Sequence, residues 1–112
     1  MNYLFVCTYN INRSVKAAKI FSELLKKHRI NGNVKDAGVS ETAENIVTKE
    51  LVNWADKIFV MEQFHKDFIV KIVPKAIGKI DVLEIGDLYP VDDPYLSKIL
   101  KEKLEKELKN GR

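Results

Sequence analysis

The chain has 112 residues, 46% hydrophobic and 31% charged, with a net charge of +3 and a single cysteine. That length fits one domain around one core, and the composition excludes a disordered or collagen-like chain. One cysteine excludes an internal disulfide and a multi-cysteine zinc site.

The longest apolar runs are four or five residues, too short to span a bilayer. Met1-Asn2-Tyr3 leads straight into a strand pattern, without the basic region and long apolar stretch of a signal peptide. Lysines interleave with glutamates as on solvated helix faces, so the mild positive charge does not demand nucleic acid. The expectation is a cytoplasmic chain with no membrane and no nucleic-acid partner.

Tyr3-Leu4-Phe5-Val6 is continuously apolar, the pattern of a strand buried on both faces. Ala17, Ala18, Phe21, Leu24, Leu25 and His28 then recur at helical spacing, and Asn31-Gly32-Asn33 is expected to close that helix. Asn33 to Ala37 reads as a second strand ended by Gly38. Val47, Leu51 and Trp54 mark a helix of two or three turns, with Trp54 expected in the core. Ile58 to Met61 is a third strand. Phe64, Phe68, Ile69 and Ile72 lie on one face of a helix ending near Pro74. Ile80, Val82, Leu83 and Ile85 form a fourth strand between Gly78 and Gly86. A last helix buries Leu96, Ile99, Leu100, Leu104 and Leu108, and the lysines and glutamates of its Lys98–Lys109 region face solvent.

This alternation predicts an α/β fold in three layers, a four-stranded parallel sheet with right-handed crossovers and helices on both faces. The expected strand order is 2-1-3-4, which places the carboxyl end of the first strand at the reversal of winding. Open sheets bind ligands there.

Cys7-Thr8-Tyr9-Asn10-Ile11-Asn12-Arg13-Ser14 occupies that position. Five residues between a cysteine and an arginine can curl into a ring with inward-pointing N–H groups. Such a nest, with the positive end of the following helix, suits a tetrahedral oxyanion. The same field favours thiolate over thiol, so Cys7 is expected to be nucleophilic near neutrality. Arg13 offers a planar fork to two phosphoryl oxygens. Ser14 can donate a hydrogen bond to the sulfur, and Asn10 tolerates the positive φ that a tight loop needs. A lone cysteine after a buried strand also reads as a small hydrophobe. Against that stand the scarcity of arginine (Arg13, Arg29, Arg112) and the strand–loop–helix setting. G-x-x-x-x-G-K-[ST] and G-x-G-x-x-G are both absent from the sequence.

Cys7 to Ser14 resembles the C-x5-R-[ST] signature loop of the low-molecular-weight protein tyrosine phosphatases. Val34 to Ser40, Ala55 to Glu62 and Asp92-Asp93-Pro94-Tyr95 resemble the family's second strand, third strand and D-P-Y acid loop. The likeness is to a short prokaryotic branch of predicted tyrosine phosphatases, and it implies one phosphatase-like domain over residues 1–112. It implies Cys7 as nucleophile, Arg13 as phosphate clamp, Asp93 as general acid, and Ser14 and Asn10 as supports of the thiolate and loop. Thr8, Tyr9, Asn10, Ile11, Asn12 and Ser14 would bind the phosphoryl group, and Tyr95 would flank an aromatic leaving group.

Asp-Pro at a helix entrance is also an N-cap followed by proline at the first helical position, so Asp93 has a structural reading too. Asp87 and Asp92 are rival acids. Tyr9, Asn12, Val15 and Asp36 stand where the family commonly has glycine, a second cysteine, proline and serine. With Asn12 there, no loop disulfide can protect Cys7 from overoxidation. His65 and His28 lack metal-ligand spacing and are expected at the surface or an edge, and Tyr89 is a lesser rim candidate.

The resulting expectation is a cysteine-dependent phosphatase that uses no cofactor and no metal. It would hydrolyse phosphotyrosine in a phosphorylated protein, or a small aryl phosphate, through a phosphocysteine. Inorganic phosphate or sulfate would be its site ligand. The alternatives are a non-catalytic oxyanion-binding regulatory module and, with no further cysteine for a thiol relay, an arsenate reductase using an external thiol.

Overall fold

Alternation along Asn2–Cys7 (β1) sets the architecture: Leu4 and Val6 point to one side, Phe5 and Cys7 to the other, and all four are buried. In the computed structural model, which describes residues 1–110, β1 is central and pairs in parallel with Asn33–Gly38 (β2) and Lys57–Val60 (β3). Ile80–Val82 (β4) extends the sheet beside β3, giving the expected order β2-β1-β3-β4. Arg13–Lys27 (α1) and Pro94–Asn110 (α4) cover the Phe5 and Cys7 face. Lys49–Trp54 (α2) and Gln63–Ile72 (α3) cover the Leu4 and Val6 face. Each layer buries a continuous apolar stripe, so both helix pairs are held by area removed from water. Phe5 stacks on Phe59 at 5.1 Å and tilts against Phe21 at 5.4 Å, tying α1 to the sheet centre. Among the described residues no helix is long and apolar enough to cross a membrane.

Several element ends differ from the pattern reading. α1 stops at Lys27, and Arg29, not Asn31 or Gly32, takes the left-handed backbone at φ 57°. Val47 lies outside α2, its N–H donating to the Gly38 carbonyl, so the helix has only six residues. Thr48 caps its start by accepting from the Leu51 N–H, and Lys79 donates to the carbonyls of Val52 and Ala55 at its end. β4 ends at Val82, because Leu83 and Ile85 donate across to Val60 and Met61 in an irregular segment that includes Glu84 at φ 57°. Trp54 is half-buried beneath Lys35, whose ammonium lies 4.4 Å from the ring centroid, and does not enter the core.

Gly38 ends β2 directly behind the segment that follows β1. A Cβ there would meet the Thr8 carbonyl oxygen at 2.5 Å, the Ala43 Cβ at 2.8 Å and the Asn10 nitrogen at 2.9 Å. Two of the three are backbone, so the loop itself would have to shift. Gly38→Ala is expected to cost about 1–3 kcal/mol of stability in urea unfolding, the range of overpacked sites.

At the far end of the sheet, partial burial and then the neighbouring Asp81 charge raise the Glu107 carboxyl above its ordinary range. The native state therefore takes up this proton at a higher pH than the unfolded chain, and stability falls as pH rises through that window. Glu107→Gln is expected to raise the thermal midpoint at pH 7 and to lose that advantage as the pH is lowered to about 4, measured by circular dichroism melts.

Candidate active site

Cys7 is the last residue of β1 and Arg13 the first of α1, so the ring between them is anchored at both ends by regular structure. Its backbone is held from outside. The carbonyls of Cys7, Thr8 and Tyr9 accept from the N–H groups of Val39 (3.0 Å), Ser40 (2.9 Å) and Glu44 (3.3 Å). In a trans peptide the C=O and the next N–H point in opposite directions. Binding those carbonyls outward therefore turns the N–H groups of Thr8, Tyr9 and Asn10 to the inner side. That is the inward-facing nest expected of an oxyanion loop.

Asn10 makes the tight turn with φ 57°, as its residue type permits. Its side chain is 2% exposed and fully engaged. The amide nitrogen donates to Ser14 Oγ (2.9 Å) and to Asp36 Oδ1 (2.8 Å), while the amide oxygen accepts from the N–H and side chain of Asn45. Ser14 Oγ lies 3.0 Å from Cys7 Sγ. With Asn10 donating to the serine oxygen, the serine's own proton is free to face a thiolate. Asp36 does point toward the loop, but its contact is with the Asn10 amide behind the ring.

Cys7 and Arg13 line one pocket of about 270 Å³, together with Thr8, Tyr9, Ile11 and Asn12. Asp87, Tyr89, Pro90 and Val91 close its other side, and Asn12 Nδ2 donates to the Tyr89 carbonyl across it (3.0 Å). A larger groove of about 970 Å³ runs beside the β2 edge, between Lys35, Asn45, Thr48 and Trp54. It contains neither the sulfur nor the guanidinium, so the larger cavity is not the one that holds the Cys7–Arg13 loop.

Arg13 is 3% exposed, and its guanidinium is held by Glu62 Oε2 (2.6 Å) and the Ile85 carbonyl (2.7 Å), both through Nη1. Nη2 reaches Thr8 Oγ1 at 3.4 Å and Nε stands 3.9 Å from Asp87 Oδ1. A buried guanidinium needs such partners, and these leave Nη2 and Nε as the edge open to a bidentate anion.

Two candidates from the D-P-Y segment lie elsewhere. Asp93 accepts from the Tyr95 N–H (2.9 Å), capping α4 ahead of Pro94, and neither Asp93 nor Tyr95 is among the pocket-lining residues. Tyr95 is 55% exposed, its ring centroid 6.0 Å from that of Tyr89. Asn10 and Ser14 stand behind the ring as supports.

The expectation for His65 is corrected: it is fully buried. It forms a capping box with Glu62 at the start of α3, its Nδ1 accepting from the Glu62 N–H (3.0 Å), and its Nε2 is 2.9 Å from Thr8 Oγ1. Burial and the Arg13 charge lower its pKa to about 4, keeping the ring neutral. Nothing in the local pattern Glu62-Gln63-Phe64-His65 reveals this, because the burial is created by the loop packed over it. Among the described residues no group of three or more His, Cys, Asp or Glu side chains is placed to hold a metal.

Residues 2–53 match the family model of low molecular weight phosphotyrosine protein phosphatase. No curated protein matches the sequence. Among solved structures, a YwlE mutant from Bacillus subtilis is 26% identical, with 97% of this chain and 99% of that chain covered and a TM-score of 0.77. A second YwlE structure, described as an arginine phosphatase, is 22% identical over 98% and 97% of the two chains, with a TM-score of 0.76. The tyrosine phosphatase Wzb from Escherichia coli K30, in complex with phosphate, is 23% identical over 97% and 96%, with a TM-score of 0.80. Signature loop, sheet order and end-to-end superposition agree: the first half of the chain matches the low molecular weight phosphotyrosine protein phosphatase model, the whole chain shares the fold of solved structures of such phosphatases, and together they indicate a phosphatase enzyme.

Proposed function

We propose that this enzyme hydrolyses phosphotyrosine or a related aryl phosphate through a phosphocysteine on Cys7. The observation that carries the reading is a single pocket with the sulfur and guanidinium in its wall and an apolar rim of Tyr9, Ile11 and Val91, 49%, 59% and 58% exposed. An aryl leaving group buries area against such a rim, while the amide ring and Arg13 take the phosphoryl oxygens.

Chemically, the Cys7 thiolate attacks phosphorus in line and the ester oxygen departs with the bonding electron pair. Proton delivery to that oxygen is general acid catalysis, assigned to Asp93 on its place in the D-P-Y segment. The resulting carboxylate then takes a proton from the water that attacks the phosphocysteine, releasing inorganic phosphate and restoring the thiolate. Throughout, the nest and Arg13 hold the equatorial oxygens, so the protein supplies mainly position and charge stabilisation. Ser14 steadies the sulfur when it is the attacking and the leaving group.

Steady-state assays on an aryl phosphate are expected to show no turnover for Cys7→Ser and a loss of about 100-fold or more for Arg13→Ala. Turnover by Cys7→Ser equal to that of the unaltered enzyme defeats the mechanism. Asp93→Ala is expected to lower kcat by about 100-fold or more on a poor leaving group, and by much less on an activated one such as nitrophenolate, while phosphate still binds. If Asp87→Ala shows that leaving-group dependence and Asp93→Ala does not, the acid is Asp87, which lines the pocket. Because YwlE is described as an arginine phosphatase, phosphoarginine is the control substrate. Faster hydrolysis of phosphoarginine than of phosphotyrosine overturns the aryl specificity and leaves the cysteine mechanism standing.

A further inference from the structure

His65 is fully buried and belongs to α3, and the hydrolysis described above assigns it no step. Its surroundings determine where its proton sits. Nδ1 faces the Glu62 N–H at 3.0 Å, and a backbone N–H only donates, so Nδ1 is the bare nitrogen. The ring proton is therefore on Nε2, which donates to Thr8 Oγ1 at 2.9 Å. The same oxygen accepts from Arg13 Nη2 at 3.4 Å. With both lone pairs of the hydroxyl taken on that side, its own proton must point away from His65 and Arg13. Thr8 lines the pocket that holds Cys7.

A charged ring would bring an Nδ1–H against the Glu62 N–H. The charged groups that act on His65 are Arg13, which opposes a second positive charge, and Glu62 and Asp87, which favour it. Burial and Arg13 prevail, so the donor–acceptor pattern persists at ordinary pH. Glu62 is also the residue that grips Arg13 Nη1 at 2.6 Å. One helix start thus governs two groups of the phosphate site, the arginine through the Glu62 carboxylate and the threonine through His65.

We propose that His65 is a positioning residue for anion binding: by donating to Thr8 Oγ1 it turns the Thr8 hydroxyl proton into the loop pocket, as a donor to a phosphoryl oxygen. This rests on the pocket being the phosphate site of the reading above, but it concerns binding and needs no turnover.

The test is calorimetry with inorganic phosphate, together with aryl phosphate kinetics, on the full chain and its variants His65→Met, His65→Gln, Thr8→Val and His65→Met with Thr8→Val. His65→Met removes the donor and is expected to weaken phosphate binding about tenfold, raising KM more than it lowers kcat. His65→Gln keeps an N–H for Thr8 and is expected to stay within about threefold of the unaltered protein. In the Thr8→Val background, His65→Met is expected to add nothing, the signature of a residue acting through another. Unchanged phosphate affinity in His65→Met, or effects of the two substitutions that multiply in the double variant, overturns the proposal. Should His65→Met fail to fold by near-ultraviolet circular dichroism, Thr8→Val and His65→Gln decide. Thr8→Val weakened about tenfold beside a near-normal His65→Gln supports the role. A Thr8→Val that binds normally, or a His65→Gln as weak as Thr8→Val, overturns it. Phosphate binding without hydrolysis by the unaltered protein would defeat the catalytic reading alone and leave these comparisons intact.

Discussion

Three outward hydrogen bonds, from Val39, Ser40 and Glu44 to the carbonyls of Cys7, Thr8 and Tyr9, create the site. A peptide unit is planar, so satisfying one side of it decides what the other side presents. Without those donors the loop carbonyls would be free to rotate inward, and the pocket would present oxygens where it now presents N–H groups. The segment that supplies the donors approaches closely enough only because Gly38 has no side chain. The pairing of β2 with β1, down to Cys7 opposite Gly38, is thus the frame on which the nest is stretched.

Charge is handled by a second layer of contacts. A guanidinium buried like Arg13 is costly unless compensated, and Glu62 with the Ile85 carbonyl compensates it through one nitrogen. The remaining nitrogens keep their capacity for an oxyanion. The adjacent imidazole stays neutral, so the site has a positive edge without a second buried cation. Behind the ring, the Asn10 amide spends all four of its hydrogen-bonding capacities on Ser14, Asp36 and Asn45. A left-handed residue so held has no second orientation, and the serine next to the sulfur inherits that order.

The local chemistry was largely legible in sequence. Apolar runs gave the strands, because a strand covered on both faces must be continuously hydrophobic, and Cys7-to-Ser14 stood out by spacing and by position after the first strand. The positive φ of Asn10 followed from residue type. Element ends were read less well. Val47 looked like the first apolar position of a helix, yet its N–H is drawn to the Gly38 carbonyl. Leu83 and Ile85 looked like strand residues, yet they donate to Val60 and Met61 from irregular backbone. Arg29, of a type that gives no stop signal, ends α1 in place of the Asn-Gly pair. For Val47, Leu83 and Ile85 a long-range partner outweighed a local preference, whereas Arg29 and Ile30 close α1 through local bonds to the Lys26 and Leu25 carbonyls.

The sequence by itself determined the order of strands and helices, the placement of Cys7 and Arg13 at the two ends of one loop, and the turn chemistry between them, since these depend on residues near one another in the chain. Only the tertiary structure decided that His65 is buried, that Glu62 grips the arginine, that Asp87 rather than Asp93 lines the pocket, and that Asp36 ends on Asn10. The hydrogen bonds among those facts join residues 26 to 57 positions apart. Such meetings are set by how β2, β3 and the segment after β4 stack around β1, and no short-range periodicity records them.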